Sequence, residues 1–312
     1  LTATPHTGIH RYTWRKGEKA QLTVDLAHLL DNETILADTL HQTAPDEIAG
    51  MRCTNGWVTE GGARWRATGT NNRIATLTFD LPASEPLVAK VGLSIVSEAN
   101  ARLNLQTETG NSFAFDSLAL ATRTAWEKEL DCITLEGGTE AERTNFYTAL
   151  YHSKVVPNLV SDVNGEYRRH DMQVGRSADG RRQFSTFSTW DTFRAWHPMM
   201  TLLDTTLVDD MIGSLLAMYD ASGELPLWPL SAGETGTMIG YHSASIIADA
   251  YLKGFRGFDA LHAFEAMKTS AAKNKKGAAE YIAQGFIPAD RKKESVSCLL
   301  EFAYDDWCIA RM

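Results

Sequence analysis

Within five residues near the middle of the chain lie an aromatic ring, a carboxylate and a guanidinium, on Trp190, Asp191 and Arg194. An aromatic ring can pack against the apolar face of a sugar, and charged groups beside it can hydrogen-bond the hydroxyls. Asp191 and Arg194 are three residues apart, so on a helix they would share one face and could pair. The pattern favours a site for a polyhydroxylated ligand. The alternative is structural: Asp191 caps a helix, Arg194 pairs with it, and the ring packs in the core.

A second group of polar side chains lies in and just after a loop rich in Gly and Pro, at 225–243. Glu234 stands among glycines there, and Tyr241 and His242 come at the start of an expected helix. These three side chains are weaker candidates for the rim of the same pocket. A surface or capping role for Glu234, and a structural role for His242, are the alternatives.

Two adjacent carboxylates, Asp305 and Asp306, lie between Tyr304 and Trp307 near the last residue. Neighbouring residues on a helix point about 100° apart, so these carboxylates are not expected to work as an acid–base pair with each other. At most one of them should face a pocket. A salt bridge between two helices is the alternative role.

Net charge argues against a nucleic-acid partner, and the distribution of apolar residues argues against a membrane span. The chain has 312 residues and a formal net charge of −9, which leaves no basic surface to neutralise phosphates and argues against a nucleic-acid partner. No run of about 18 apolar residues is present, so the sequence predicts no membrane span.

Period-two alternation of apolar and polar residues dominates the first part of the chain, and this is typical of strands. The clearest predicted strands are 9–14, 21–26, 73–79 and 91–96. Many short strands at close spacing indicate a sandwich of antiparallel sheets. Residues 1–136 are therefore expected to form an N-terminal antiparallel β-sandwich domain.

Helical patterns follow. Thr139 and Glu142 have the spacing of a capping box, and Ser188 with Asp191 resembles an imperfect one. Apolar periodicity then predicts helices over 188–203, 206–220, 240–253, 259–272 and from 295 to the last residue.

Helices of this length in series indicate an αα toroid or bundle. Residues 137–187 are expected to be a helical linker, and residues 188–312 the first part of the toroid. The last helical pattern has no C-terminal capping signal, so the chain is expected to be an internal fragment of a longer protein.

Long motifs in this chain resemble glycoside hydrolase family 92, the exo-acting α-mannosidases, often α-1,2-mannosidases. The resemblance covers nearly the whole chain. The segments that carry it are 146–152, 161–167, 188–198, 225–228, 233–243, 247–254 and 304–310. One departure is Ala232-Gly233-Glu234, where the family usually has an Asn between the Gly and the Glu.

The resemblance implies a β-sandwich joined by a helical linker to an (α/α)6 barrel. It implies calcium-dependent release of α-linked mannose from glycans with inversion at the anomeric carbon. Inversion needs an acid that protonates the leaving oxygen and a carboxylate that activates water on the opposite face. It also implies a periplasmic, cell-surface or secreted location, and a mannose-containing glycan as the partner of the site.

The same resemblance places the general acid, the general base and most calcium ligands after Met312. No catalytic residue and no metal ligand is therefore assigned in this chain, which alone is expected to be inactive and to need the missing part of its own polypeptide. The residues assigned to substrate binding are Trp190 and Asp191 on mannose, Arg194 orienting Asp191, and Glu234, Tyr241 and His242 at the rim.

Two other functions stay open on the sequence. One is another glycosidase built on an (α/α)6 barrel. The other is a non-catalytic glycan-binding or scaffold protein that keeps the sugar-facing aromatic residues without the acid and base.

Overall fold

The computed structural model describes residues 1–28, 34–55, 74–81, 85–178, 180–273 and 276–312. These residues form two compact units. The first unit comprises the described residues up to Gly137 together with Asp162–Glu166, and the second comprises those of Gly138–Ser161 and Tyr167–Met312. None of the described helices is both long enough and apolar enough to cross a membrane.

Antiparallel strands make up the β part of the first unit. One three-stranded sheet has the order β1-β2-β7, and two further pairs are β3 with β6 and β4 with β5. The strands are β1 (Thr2–Ala3), β2 (Thr7–Tyr12), β3 (Ala20–Asp25), β4 (Thr34–Ala44), β5 (Glu47–Asn55), β6 (Ile74–Phe79) and β7 (Leu87–Gly92). The antiparallel pairing agrees with the sequence prediction, whereas packing of these sheets into a sandwich stays a prediction. Residue 73 of the predicted strand 73–79 lies outside the described residues.

The first unit also contains two helices where only strands were predicted, so that prediction was wrong for this region. They are α1 (Glu98–Thr109) and α2 (Phe115–Leu130), and the predicted strand 91–96 ends at Gly92. The Ser97 side chain accepts a hydrogen bond from the Asn100 backbone N–H and so caps α1. The pattern was missed because α1 has no apolar stripe: its buried residues are Asn100, Asn104 and Thr109.

The buried side chains of Asn100 and Asn104 bind a turn at 162–165, which belongs to the first unit. The carboxylate of Asp162 accepts hydrogen bonds from the Ser94 hydroxyl and from the side-chain amides of Asn100 and Asn104, each at 2.7 Å. The Gly165 N–H closes the turn on the Asp162 carbonyl at 2.8 Å, with Gly165 in the left-handed region. Residues 162–165 therefore form a turn that leads into the strand at Glu166–Arg168. The buried carboxylate of Asp162 is stabilised by hydrogen bonds from uncharged protein donors.

The second unit is mainly helical, with short strand pairs between its helices. The helices are α3 (Glu140–Ser153), α4 (Thr189–Thr192), α5 (Trp196–Leu203), α6 (Thr205–Ser222), α7 (Ser243–Leu252), α8 (Ala260–Lys273), α9 (Ala278–Gln284) and α10 (Ser295–Arg311). The strand pairs are β8 (Asn158–Leu159) with β11 (Phe184–Ser185), β9 (Glu166–Arg168) with β10 (Val174–Arg176), and β12 (Pro229–Leu230) with β13 (Gly233–Glu234). The predicted capping box of Thr139 and Glu142 is present at the start of α3.

The predicted helix over 188–203 is two helices, α4 and α5, and Ser188 makes no capping hydrogen bond through its side chain. Pro198 explains the break. In one continuous helix its ring would clash with the carbonyl of residue 194 and remove a hydrogen bond to it, whereas the first turn of a new helix tolerates it. The chain turns at Ala195, which leaves Arg194 outside both helices.

Helix α7 lies at the centre of the second unit and contacts α5, α6, α8 and α10. Seven of its ten residues are buried, including Ile246 and Ile247, so it has almost no solvent face. Apolar side chains of α6, α8 and α10, such as Leu215, Met267 and Phe302, complete the same core. This packing fixes the N-terminal end of α7, where Tyr241 and His242 lie. Closure into an (α/α)6 barrel stays a prediction.

Candidate functional site

Four of the six residues singled out in the sequence, Trp190, Arg194, Tyr241 and His242, come together at the N-terminal end of α7. His242 stacks on Phe193 with ring centroids 4.0 Å apart and planes inclined by 13°. Arg194 follows Phe193 directly and places its guanidinium 4.9 Å from the centroid of the Trp190 ring. Tyr241 and His242 are both bound to α10 by hydrogen bonds. Three segments distant in sequence therefore meet at one place.

The sequence predicted that Arg194 orients Asp191, but in the structure Arg194 pairs with Glu301 instead. Its Nη2 lies 3.1 Å from Oε1 of Glu301 on α10, and its guanidinium is 4.7 Å from the Phe193 ring centroid. Asp191 is exposed and forms no ion pair or hydrogen bond with any other residue that the structure describes. The i,i+3 argument fails because α4 ends before Arg194, so the two side chains do not share a helical face.

Trp190 is half-buried, and its Nε1 donor is buried without a hydrogen-bond partner among the described residues. A buried N–H without a partner costs free energy, so such a group is a natural donor to a bound ligand or water. The exposed Asp191 carboxylate and the half-exposed Arg194 guanidinium lie beside it in the chain.

His242 is fully buried and lies between two carboxylates of α10. Its Nδ1 is 2.9 Å from Oδ1 of Asp305, and its Nε2 is 2.9 Å from Oε2 of Glu301. The first contact is a hydrogen bond, whereas the alignment of the second falls short of one. His242 is therefore not at the rim of a pocket, because Phe193, Asp305 and Glu301 enclose its ring.

Tyr241 is likewise buried, and its backbone and side chain bind different carboxylates. Its N–H donates to Oδ2 of Asp305 at 2.7 Å, and its hydroxyl donates to Oδ1 of Asp306 at 2.6 Å. Burial, with the Asp306 carboxylate beside it, raises the pKa of Tyr241. Burial also raises the pKa of Asp305, which the hydrogen bonds from His242 and Tyr241 oppose. Tyr241 is thus a buried link between α7 and α10.

Asp305 and Asp306 both face these protein donors. The other oxygen of Asp306 accepts a hydrogen bond from the Tyr281 hydroxyl at 3.0 Å. Among the residues that the structure describes, His242 is the one basic side chain that pairs with either carboxylate. The two neighbouring carboxylates point in different directions from the helix. Each accepts hydrogen bonds from the segment 241–242.

Glu234 supports its own loop. Its two oxygens accept backbone N–H groups of Leu227 at 2.8 Å, Trp228 at 3.0 Å and Gly236 at 2.8 Å. The Leu227 carbonyl in turn accepts the N–H of Thr189, at 2.9 Å, where α4 begins. Glu234 therefore binds the backbone of its own loop. That loop contacts Thr189, the first residue of the turn that carries Trp190 and Asp191.

Glu301 is the site residue that sequence reasoning missed. It lies four residues before Asp305 on α10, so the two carboxylates share a helical face. That spacing is the signal that could have found it. Among the described residues, no group of three or more His, Cys, Asp or Glu side chains is arranged to hold a metal ion.

Two family profiles match the chain. The profile described as the glycosyl hydrolase family 92 N-terminal domain matches residues 1–68, and the profile described as the glycosyl hydrolase family 92 catalytic domain matches residues 100–312. Among curated proteins, an uncharacterised secreted glycosidase of Arthroderma benhamiae is 24% identical over 255 residues, which are 75% of this chain and 29% of that protein.

Solved structures of the same family are also similar to this chain. The family GH92 α-mannosidase BT3965 of Bacteroides thetaiotaomicron is 32% identical, with a TM-score of 0.89 over 99% of this chain, and has also been solved with mannoimidazole. The family GH92 inverting mannosidase BT2199 of the same organism is 27% identical, with a TM-score of 0.85 over 99% of this chain.

The chain spans less than half the length of these solved relatives, 45% for BT3965 and 46% for BT2199. The catalytic-domain profile alone matches more than half of the chain, and the fold and the identities point the same way. The chain therefore belongs to glycosyl hydrolase family 92.

Proposed function

We propose that the whole protein is an inverting, calcium-dependent exo-α-mannosidase, and that this chain supplies part of its sugar-binding surface. Solved relatives described as α-mannosidases, one with mannoimidazole bound and another described as inverting, support the reaction class. The single observation that carries a sugar-binding role is the open turn of α4. Its Asp191 carboxylate is exposed, although the cation predicted to pair with it lies three residues away.

Each group at this turn has a distinct task. The Trp190 ring would pack on the apolar face of a mannose ring, and its unpaired N–H can donate to an oxygen of the glycan. Asp191 would accept hydrogen bonds from sugar hydroxyls. Arg194 would donate to a sugar oxygen through the part of its guanidinium that faces solvent. Glu234, Tyr241 and His242 act behind this surface by holding the loop and the end of α7.

Calcium needs six to eight oxygen ligands, and the described acidic residues of the site do not provide such a set. Glu301 faces Arg194 and His242, while Asp305 and Asp306 accept N–H and O–H donors. Asp191 is a single carboxylate. As the family resemblance implies, we place most of the calcium ligands, the general acid and the general base in the part of the polypeptide that this chain does not span.

The test is an assay of mannose release by the whole protein from α-linked manno-oligosaccharides, with the anomer followed by NMR. Release of β-mannose first is expected for inversion. A calcium chelator should abolish release, and added Ca²⁺ should restore it. Persistence of activity with the chelator would remove calcium from the proposal. Glycan binding without any release would favour the non-catalytic alternative.

The partner proposed for this chain is the rest of its own polypeptide, and the outer face of α10 supports this. We use that name for Val296, Leu300, Tyr304 and Trp307, which recur at helical spacing and are 68%, 65%, 40% and 58% exposed. A helix face turned to solvent normally carries charged residues, and exposed apolar patches of this kind mark interfaces. The greater length of the solved relatives leaves enough chain to cover it.

A Leu300→Glu exchange tests this partner. If the outer face of α10 is covered, the exchange removes about 1.5–3 kcal/mol of apolar burial and places a charge in an apolar interface, so the whole protein should unfold at a clearly lower temperature. Leu120→Glu on α2 is the matched control, because Leu120 is 64% exposed and Leu300 is 65% exposed. Equal melting temperatures for the two variants would show that the outer face of α10 is open to solvent.

A further inference from the structure

Glu301 binds two different partners with its two carboxylate oxygens. Oε1 lies 3.1 Å from Nη2 of Arg194, and Oε2 lies 2.9 Å from Nε2 of His242. The Glu301 side chain is 18% exposed, so these contacts are mostly sheltered from water, whereas the Arg194 side chain is 51% exposed. Partial burial strengthens such a charge pair relative to one in water.

Arg194 is held on three sides. Glu301 binds one edge of its guanidinium, and the rings of Trp190 and Phe193 lie under it, with centroids at 4.9 Å and 4.7 Å. Phe193 is itself fixed by stacking on the buried His242 ring. A free arginine side chain has many rotamers to lose, and these contacts restrict them before any ligand arrives.

The alternative partner of Arg194 is Asp191, three residues away and exposed. In a flexible turn an unbound guanidinium would pair with this carboxylate, since opposite charges at such separation attract. That pairing would occupy the oxygens that the proposed sugar site needs. The ion pair with Glu301 is therefore the feature that keeps Asp191 open.

We propose that Glu301 is a positioning residue: it holds Arg194 beside Trp190 and away from Asp191, and so leaves the Asp191 carboxylate available to the ligand. This inference rests on the proposed sugar-binding function. It assigns Glu301 no contact with the ligand, because Glu301 acts only through Arg194.

The experiment is a double-mutant cycle in the whole protein, with Glu301→Gln, Arg194→Ala and the two combined, read as KM and kcat for an α-mannoside. Glu301→Gln should lower kcat/KM about 10-fold to 100-fold, mainly by raising KM, because a competing Arg194–Asp191 pair weakens substrate binding. The double variant should lie within twofold of Arg194→Ala, because Glu301 acts through Arg194. Glu294→Gln removes an exposed carboxylate at the start of the same helix and should leave both constants unchanged.

Two results would overturn the positioning role while the wild type still releases mannose. One is a Glu301→Gln variant within twofold of the wild type. The other is a double variant whose loss is the product of the two single losses, which would mean that Glu301 acts independently of Arg194. If Glu301→Gln does not fold, Glu301→Asp keeps the charge but shortens its reach, and it should raise KM in the same way. A wild type without mannose release would overturn the proposed function first, and the positioning role with it.

Discussion

An Asp191→Ala exchange in the whole protein is expected to lower mannose release by about 100-fold. Hydrogen bonds to a charged group contribute about 1.5–3 kcal/mol each, and each 1.36 kcal/mol is tenfold in rate, so one or two lost bonds to a sugar hydroxyl are enough. The fold should be unaffected, because Asp191 is exposed and forms no ion pair or hydrogen bond with the other described residues. The measurement is kcat/KM for an α-mannoside, together with the melting temperature.

Asp290→Ala is the control for this exchange, since Asp290 is another exposed aspartate of the second unit. It should leave kcat/KM within twofold of the wild type. Near-normal turnover by the Asp191 variant would remove Asp191 from the substrate site. A large fall in melting temperature would instead indicate that the turn of α4 depends on this carboxylate for its structure.

Local patterns in the sequence predicted those features that depend on neighbouring residues. The capping box of Thr139 and Glu142 marks the start of α3, and the predicted end of the helix at 220 lies two residues before the end of α6, where Gly223 is in the left-handed region. Both signals act within one helical turn. Helix α1 was not predicted because its buried face is polar. That polar face binds the carboxylate of Asp162, which lies 58 residues beyond Asn104.

The site shows the same division between local and distant contacts. The residues Trp190, Arg194, Tyr241 and His242 were singled out from the sequence, but their contacts were not predicted. Arg194 binds a carboxylate 107 residues away rather than the one three residues away. Sequence spacing predicts which side chains share a helical face, whereas tertiary packing decides which charges meet. The ion pair of Arg194 with Glu301 could therefore not be predicted from the sequence.

The motif residues Tyr241 and His242 are buried rather than solvent-facing. Tyr241 and His242 are part of a motif that carries the family resemblance, 233–243, yet their side chains are enclosed by α10 and do not reach a solvent-facing pocket in the part of the chain that the structure describes. A motif can therefore mark the support of a binding surface as well as the surface itself. In this unit the support consists of the carboxylates on α10 that bind Tyr241 and His242, the two residues directly before α7.

The largest effect on stability is expected for the central carboxylate of that support, through Asp305→Asn. Asp305 is fully buried, and its two oxygens accept the Nδ1–H of His242 and the backbone N–H of Tyr241. An asparagine of the same size keeps one acceptor for the Tyr241 N–H, and its NH2 group fits Nδ1 of His242 only if the ring proton moves to Nε2. The exchange therefore removes the negative charge that accepts two buried hydrogen bonds, which costs about 1–3 kcal/mol.

Asp306→Asn is the matched control on the neighbouring residue. The partners of Asp306 are the hydroxyls of Tyr241 and Tyr281, and a hydroxyl can accept a hydrogen bond as well as donate one. An amide can therefore replace this carboxylate by donating to one hydroxyl and accepting from the other, at a cost of less than about 1 kcal/mol. Chemical denaturation of the whole protein, followed at the transition of its helical unit, should show a much lower midpoint for Asp305→Asn than for Asp306→Asn. Equal midpoints would mean that the buried carboxylate of Asp305 is not needed to hold Tyr241 and His242 against α10.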